Sequence, residues 1–313
     1  MTRRWLAIVN PTAGGGGARR RWQALERELR DRGVSVEVIE TTRAEDASRY
    51  ARQACGAFDG IIAVGGDGTV HEVVNGLVLE QAPRIAVAPY GTGNDFARGL
   101  RLPRSATALA EAIARGRTMA RPVGEIRLGA TGHTQVRRFI NGVGMGLDAA
   151  VLERLPARGP ASLKYLIGTL RSLRQVRAAE AHVTCDGQTQ RGRYRLVYAG
   201  LGTHAGGGMQ LTPHAGRQPG ALALTLVPDV ALLRLLSGLP ALYAGTLTQV
   251  PWVHTLHAAT VDICAPSFGI EADGQLLGSG PVQLWLRREP LAVIAAHTGE
   301  ADNGAPVAAV ETP

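Results

Sequence analysis

Residues 61 to 77 read IIAVGGDGTVHEVVNGL: an apolar run that stops at Gly65-Gly66-Asp67-Gly68-Thr69 and continues into a helical pattern. A buried strand leaving through three glycines, a carboxylate and a hydroxyl into a helix is one unit of a strand–helix alternation. The same alternation fills the first hundred residues. Trp5–Val9 is a short apolar strand, Gly14–Gly17 a loop, and Ala18, Trp22, Leu25 and Leu29 recur at helical spacing until Gly33. Val34, Val36 and Val38 alternate as a second strand, and Glu45–Ala54 reads as a helix. Ile61–Val64 is a third strand, Thr69–Leu79 a helix and Ile85–Ala88 a fourth strand. This order predicts a parallel sheet with helices on both faces. In such a sheet the ligand crevice lies beyond the carboxyl ends of the strands. The loops at that rim, Asn10–Gly17, Glu40–Ala44, Gly65–Thr69 and Pro89–Asp95, are the glycine- and threonine-rich loops of the region.

After about residue 121 the texture changes. Short β-rich segments dominate, at Val123–Leu128, Val136–Asn141, Ala181–Cys185, Tyr194–Ala199, Leu222–Val227 and Thr260–Ala265. Turn signals such as Asp186-Gly187 and Asp273-Gly274 separate them, which predicts a second, largely antiparallel domain. Helical stretches at about Ser162–Arg177 and Val230–Gly245 interrupt it. The expected division is an α/β domain over 1–121, a β domain over 122–285, and a polar tail over 299–313 that reads as disordered.

The hydrophobic fraction, 45%, is that of a globular chain, and the formal charge is +8. Such a charge suits an anionic partner, a nucleotide or an anionic membrane surface. Nearly all of it is arginine, since Lys164 is the one lysine, so a compositional bias explains it equally well. Aromatic residues do not interleave with the arginines, and a nucleic-acid partner is not expected. Cys55, Cys185 and Cys264 are odd in number and form no CxxC pair, which points to a reducing compartment without disulfides. No uninterrupted run of about 18 apolar residues occurs. The nearest, Val230 to Leu247, is broken by Arg234, Ser237, Gly238 and Pro240, and reads as a buried helix pair or an amphipathic surface helix. The expectation is a cytoplasmic protein, soluble or peripheral to the inner face of a membrane. The oligomeric state stays open, a homodimer included.

Glycines at 65, 66 and 68 let a backbone pass close to a ligand, and a helix start supplies free N–H groups and a positive dipole end, which suits phosphate. Asp67 is then the anomaly. Beside a phosphate, a carboxylate needs Mg²⁺ or an incoming hydroxyl proton between them, so it is a metal-directed ligand or a general base; otherwise it is a turn residue capping its helix. Pro89-Tyr90-Gly91-Thr92-Gly93-Asn94-Asp95 follows the next strand. One crossover helix separates the two loops, which places them on the same rim. Thr92 is a phosphate donor and Asp95 a second carboxylate, although Asn94-Asp95 also suits a simple cap of Phe96–Leu100. The first loop, Asn10 to Gly17, lacks GxxxxGK[ST], which excludes a Walker-type NTPase. Asn141 to Leu147 fails as a dinucleotide fingerprint because Leu147 stands where the third glycine is required. His254 and His257 have no carboxylate or cysteine in a metal-ligand pattern, and no GxSxG occurs.

Gly65-Gly66-Asp67-Gly68-Thr69 with Asn75, followed by Pro89-x-Gly91-Thr92-x-Asn94-Asp95-Phe96-Ala97, resembles the diacylglycerol kinase catalytic domain. The chain as a whole is similar to the YegS/BmrU-type bacterial lipid kinases, with Asn10-Pro11, Thr41, Gly206-Gly207-Gly208-Met209 and Asp273-Gly274 in the same pattern from about residue 4 to 295. The resemblance implies an N-terminal parallel-sheet domain of the NAD-kinase/diacylglycerol-kinase type and a C-terminal antiparallel β-sandwich. The chain would return to the first domain at about 286–298, and the lipid would enter between the two. It implies ATP and Mg²⁺ as cosubstrates and a lipid hydroxyl, presented at a membrane surface, as acceptor. Nucleotide contacts fall at Asn10, Thr41, Gly65, Gly66, Asp67, Gly68, Thr69, Gly91, Thr92 and Asn94. Asp67 and Asp95 would arrange the metal, and Asp273 or Glu271 would complete the acidic cluster.

Three departures follow from the same resemblance. The late acidic motif of the family reads Asp-Gly-Glu, and its Glu is credited as general base. Here it is Asp273-Gly274-Gln275, and an amide takes no proton. If 271–275 is extended, Glu271, Asp273 and Gln275 share one face, and a neighbouring carboxylate or Asp67 would substitute. The alternatives are a catalytically impaired nucleotide-binding regulator and a soluble NAD kinase. The acids that form an accessory metal site before the glycine at 220 are replaced by Gln218-Pro219, so that site is expected to be absent, and Leu201 stands where related chains often carry Asn.

Overall fold

The computed structural model describes residues 3–129, 135–156 and 159–295. The expected tail at 299–313 lies outside them, as do the last residues of the expected return. The chain divides into two compact units. One runs to Val123 and takes in the described residues from Arg288 on; the other is Gly124–Arg287.

The first unit is built on β1 (Arg4–Val9), α1 (Ala18–Asp31), β2 (Ser35–Glu40), α2 (Asp46–Ala54), β3 (Gly60–Gly65), α3 (Asp67–Gly76), β4 (Arg84–Pro89), α4 (Asp95–Gly99), α5 (Ala106–Arg115) and β5 (Thr118–Arg121). A late strand, Leu291–Ile294, joins the same sheet, whose order is β2-β1-β3-β4, Leu291–Ile294, β5. All neighbours are parallel except the last pair. Central strands covered on both faces read as continuous apolar runs, and β3 is buried at every residue. Trp5, Ala7 and Val9 pack with Ile62, Val64, Ala86 and Ala88 against residues of α1 and α5. Alternation sends Leu6, Ile8, Ile61 and Ala63 to the other face. There α2 and α3 lie so close that a Cβ on Gly76 would stand 2.0 Å from the Ser48 carbonyl oxygen.

One boundary differs from expectation in a way that matters. The helix after β3 begins at Asp67, not near Thr69, because Gly66 is extended and turns directly into it (φ −104°, ψ −168°). Asp67 therefore stands in the first turn of α3.

The second unit is antiparallel throughout. Its longest strand, Gln188–Gly200, pairs with Ala179–Cys185 through its first half. Through its second half it pairs with Gly142–Gly146 on one side and Leu222–Pro228 on the other. The register shifts between Tyr194 and Leu196. A strand that changes partners at a bulge is how a sandwich turns its corner. The core enclosed by these strands includes Ile126, Phe139, Val183, Val197, Leu224, Val261 and Leu284. Asp186-Gly187 and Asp273-Gly274 both have positive φ at each residue, the geometry of tight hairpin turns. Asp273-Gly274 thus reverses the chain, so the extended 271–275 segment considered above does not form, and Glu271, Asp273 and Gln275 do not share a face. The two helical stretches form as Ala161–Gln175 and Leu232–Ala244. Gly142–Gly146, within the stretch that fails as a dinucleotide fingerprint, is a fully buried strand.

Candidate active site

The rim of the first unit is stitched together by amides that reach past their own strands. Asn10 N–H donates to the Val64 carbonyl at 2.9 Å, and Thr41 N–H to the Val9 carbonyl at 2.8 Å. The Gly65 carbonyl accepts from both Tyr90 and Gly91, at 2.8 and 2.9 Å. In-register pairing of Gly65 with Pro89 makes this last contact possible. The two expected loops are therefore one structure. A Cβ on Gly91 would stand 2.2 Å from the Gly66 Cα, so a side chain there would force the loops apart. Asn10 ties the first loop in as well. Its Nδ2 donates to Thr69 Oγ1 at 3.3 Å, while its Oδ1 accepts from Thr12 N and Oγ1.

Asn94, the N-cap of α4, makes no side-chain cap to that helix. Oδ1 of Asp67 accepts from the Phe96 amide at 3.0 Å, in the first turn of α4. Asn94, in the left-handed region at φ 54°, exchanges two bonds with Gly91. Asp95 follows it and is 6% exposed. Gly93 lies where both acids converge. A Cβ built on it would be 2.9 Å from Asp67 Oδ2 and 3.5 Å from Asp95 Oδ2. The missing side chain leaves a cradle edged by two carboxylates, a donor set that suits a hard divalent cation completed by phosphate oxygens. Among the described residues no cluster of three or more metal-ligating side chains occurs.

Beside this cradle lies a cavity of about 510 Å³, within the usual range for a small-molecule site. Asn10, Thr41, Gly66, Gly68, Thr69, Gly91 and Thr92 of the expected nucleotide contacts line it. Gly65, Asp67 and Asn94 do not. Gly65 shapes the wall, since a Cβ on it would strike Thr69 Oγ1. Gly68 has no atom within 4 Å of where its Cβ would stand. Sequence reasoning missed Asp46, which holds the Thr41–Arg43 wall. Its Oδ2 accepts from Thr42 N and Oγ1 at 2.9 Å and from Arg43 N at 3.1 Å, and its Oδ1 accepts from Arg49. The Thr42 amide heads the contacts that hold the Asp46 carboxyl down at about 2. A second cavity, of about 600 Å³, lies along Pro89–Asn94 and carries Arg21, Arg98 and Arg104.

The late acids behave differently from each other. Asp273 accepts from three successive amides, Ile140, Asn141 and Gly142, at 2.8 to 3.0 Å. Both its oxygens are engaged in fixing the chain that leads into Gly142–Gly146. Glu271 is 6% exposed, and its Oε2 accepts from the Gly274 amide at 2.8 Å. Its other neighbour is Asp148, at the start of the helix Leu147–Glu153. Gly144 makes room for Asp148, since a Cβ there would collide with the carboxylate. Burial, then the charge of Asp148, push the Glu271 carboxyl well above the usual range; burial raises Asp148 too. A buried acid and a partly buried one in hydrogen-bond contact favour the protonated form of one of them. No sequence signal marked Asp148; only the pairing of Glu271 with Gly144 brings it there.

Residues 4–126 match the diacylglycerol kinase catalytic domain, and residues 141–295 match the YegS C-terminal NAD kinase beta sandwich-like domain. A diacylglycerol kinase of Bacillus subtilis (strain 168) is 32% identical over 235 residues, 72% of this chain and 74% of that protein. The chain belongs to the diacylglycerol kinase family. A diacylglycerol kinase of Staphylococcus aureus (strain MRSA252) is 28% identical over 289 residues, 90% of this chain and 89% of that one. A solved structure of a putative diacylglycerol kinase from Bacillus anthracis str. Sterne superposes with a TM-score of 0.74 at 25% identity, covering 94% of this chain and 97% of that one. Yeast NADH kinase complexed with NADH superposes at 0.57 and 14% identity, over 94% of this chain and 83% of that one, which is a likeness of fold alone. For a member of the diacylglycerol kinase family, a nucleotide is the implied phosphate donor. The three cysteines are free, and no helix among the described residues is long and apolar enough to cross a membrane.

Proposed function

We propose that this chain transfers the γ-phosphate of ATP to the hydroxyl of a diacylglycerol-like lipid. The observation that carries the reading is the convergence of Asp67 and Asp95 on Gly93, beside a cavity walled by the rim loops. ATP would occupy that cavity, its phosphates against the amides of Gly66–Gly68 and the dipole end of α3, with the Thr69 and Thr92 hydroxyls as further donors. Asp67 and Asp95 would hold Mg²⁺, which neutralises charge on the transferring group. Phosphoryl transfer passes through a loose transition state and rests on positioning more than on a strong base. A chain with Gln275 in place of the usual acid therefore retains most of the machinery. As the acceptor's O–P bond forms and the bond from the γ-phosphate to ADP breaks, the acceptor's proton is released to water.

Mixed lipid vesicles with ATP and Mg²⁺ test this directly. A phosphorylated lipid, identified by mass from a total lipid extract, is the expected product, and NAD offered without lipid should stay unmodified. No labelled lipid of any headgroup would sink the reading. A second reading, a nucleotide-binding regulator, draws on one observation: Asp273 is bound by three amides and does not replace the missing acid. Nucleotide binding without transfer, and activity gained by Gln275→Glu, would favour it.

A further inference from the structure

The cavity along Pro89–Asn94 differs in chemistry from the one beside the carboxylate cradle. Its walls carry Arg21, Arg98 and Arg104 and no acidic residue. Each arginine comes from a different place: Arg21 from the first turn of α1, Arg98 from α4, and Arg104 from the segment that leads into α5. Two small residues on the same wall, Ala24 and Ala106, leave room between them. The base of the cavity is fixed, because Tyr90 is buried and its amide is bonded to the Gly65 carbonyl. The Arg21 guanidinium lies 5.8 Å from the centre of the Tyr90 ring, a cation–π contact that keeps it at the cavity.

The three guanidiniums are poorly neutralised. On the same helix as Arg21, Arg19 pairs with Glu40, and Arg32 pairs with Glu28, which also takes the Thr107 hydroxyl. Arg21 and Arg104 have no such acid among the described residues. Arg98 has Asp95 Oδ1 at 3.8 Å. Its Nη2 donates to the Gly93 carbonyl at 3.3 Å, while its Nε is buried without a hydrogen bond. The start of α5 adds to the same potential. Ser105 caps that helix by accepting from the Ala108 amide at 3.3 Å, and Ala106, its first residue, lines the cavity.

Three arginines at a helix start, with no acid on the wall, are a donor set for an oxyanion, and the planar fork of arginine matches phosphate. A phosphomonoester carries nearly two charges at neutral pH, which suits this excess of cations. The cavity, about 600 Å³, is of the size that holds a small molecule, so an ester with an organic part suits it better than the bare ion.

We infer that this cavity binds a phosphomonoester through Arg21, Arg98 and Arg104, sharing only the Gly91-Thr92 segment as a wall with the first cavity. Two sources supply such a group. One is the lipid phosphate that the proposed reaction would release, a source that rests on that reading; the other is a soluble phosphate ester.

Calorimetric titration of the full chain with glycerol 3-phosphate and with dihexanoyl phosphatidic acid, both in solution, is the experiment. It is run with and without Mg²⁺ and the β,γ-methylene analogue of ATP. At least one ester should bind, and the analogue should leave it in place. Tighter binding of the lipid ester would assign the site to the product, and equal or weaker binding to a soluble ester. Arg21→Gln with Arg104→Gln should weaken ester binding by about tenfold or more and change affinity for the analogue by less than about twofold. Both side chains are exposed. Should the pair lower the melting temperature, Arg104→Gln alone should still weaken ester binding by about threefold. Four results would overturn the proposal: neither ester binds, the analogue displaces the ester, the arginine variants bind it as the wild type does, or they lose ester and analogue alike. The second and fourth would give the cavity to the nucleotide. A chain that binds an ester and not the analogue would fail the kinase reading and keep this one.

Discussion

The backbone amide of Phe96 donates to Oδ1 of Asp67 across 3.0 Å, so the acid at the head of α3 caps the first turn of α4. One oxygen organises the neighbouring loop while the other lies toward Gly93. Structure and chemistry are thereby separable by substitution. Asp67→Asn keeps an acceptor for Phe96 and loses the charge; turnover should fall by at least about a hundredfold with little change in melting temperature. Asp67→Ala loses both, and should in addition destabilise the fold by about 1.5–3 kcal/mol, the usual worth of a charged hydrogen bond. Steady-state kinetics and urea unfolding on the two variants measure the split. Equal stability of both would show that the Phe96 contact does not support the fold.

Gly93 and Gly91 are two residues apart and answer to different constraints. A methyl on Gly93 intrudes between the two carboxylates, so Gly93→Ala should leave the fold intact and weaken divalent-ion binding by about tenfold or more, read as a rightward shift in the Mg²⁺ titration of activity. A methyl on Gly91 meets the backbone of Gly66 at 2.2 Å and cannot be relieved by a side-chain rotation. Gly91→Ala should cost about 3 kcal/mol or more in urea unfolding. A Gly93→Ala protein with an unchanged Mg²⁺ profile would mean the metal, if used, sits elsewhere.

Asp46 supports the cavity from behind. Its carboxyl is held at about 2, below its ordinary value, chiefly by the Thr42 amide and hydroxyl. A depressed acid contributes stability that is present above its unfolded value and lost as pH falls toward its folded one. The wild type should therefore lose an increment of stability between about pH 4 and pH 2 that Asp46→Asn lacks. Nucleotide affinity should drop with the same substitution, by about fivefold to tenfold, because Thr41–Arg43 loses its anchor. Calorimetric titration and acid unfolding curves on the pair check both outcomes.

The sequence disclosed the α/β unit well because its strands are apolar on both faces and its glycine loops fall at one end. The four expected strands form within a residue or two of their expected bounds. Less was legible where the determinant is tertiary. Gly142–Gly146 is not among the expected β segments, because glycine opposes strand formation; it is a strand in which Tyr198 and Asp148 fill the space that its missing side chains leave. Asp273 looked catalytic from its motif, and three amides from residues 140 to 142 claim it. Asp46 and Asp148 carried no local signal at all, since their partners are set by loop closure and strand pairing.

The Asp148–Glu271 pair yields the prediction with the most distinctive sign. Both acids are raised above their ordinary values, Glu271 first by burial and then by the charge of Asp148. A raised acid makes the folded state bind more protons than the unfolded one, so stability falls as pH rises from about 4 through the folded value. This is opposite to the Asp46 behaviour. Glu271→Gln keeps an acceptor for the Gly274 amide and gives Asp148 a donor without a shared proton. The variant should lose less stability than the wild type between about pH 5 and pH 8, and be the more stable of the two at the upper end. Urea midpoints taken across that range decide the matter. Parallel curves for wild type and variant would mean that the two carboxyls titrate independently and that no proton is held between them.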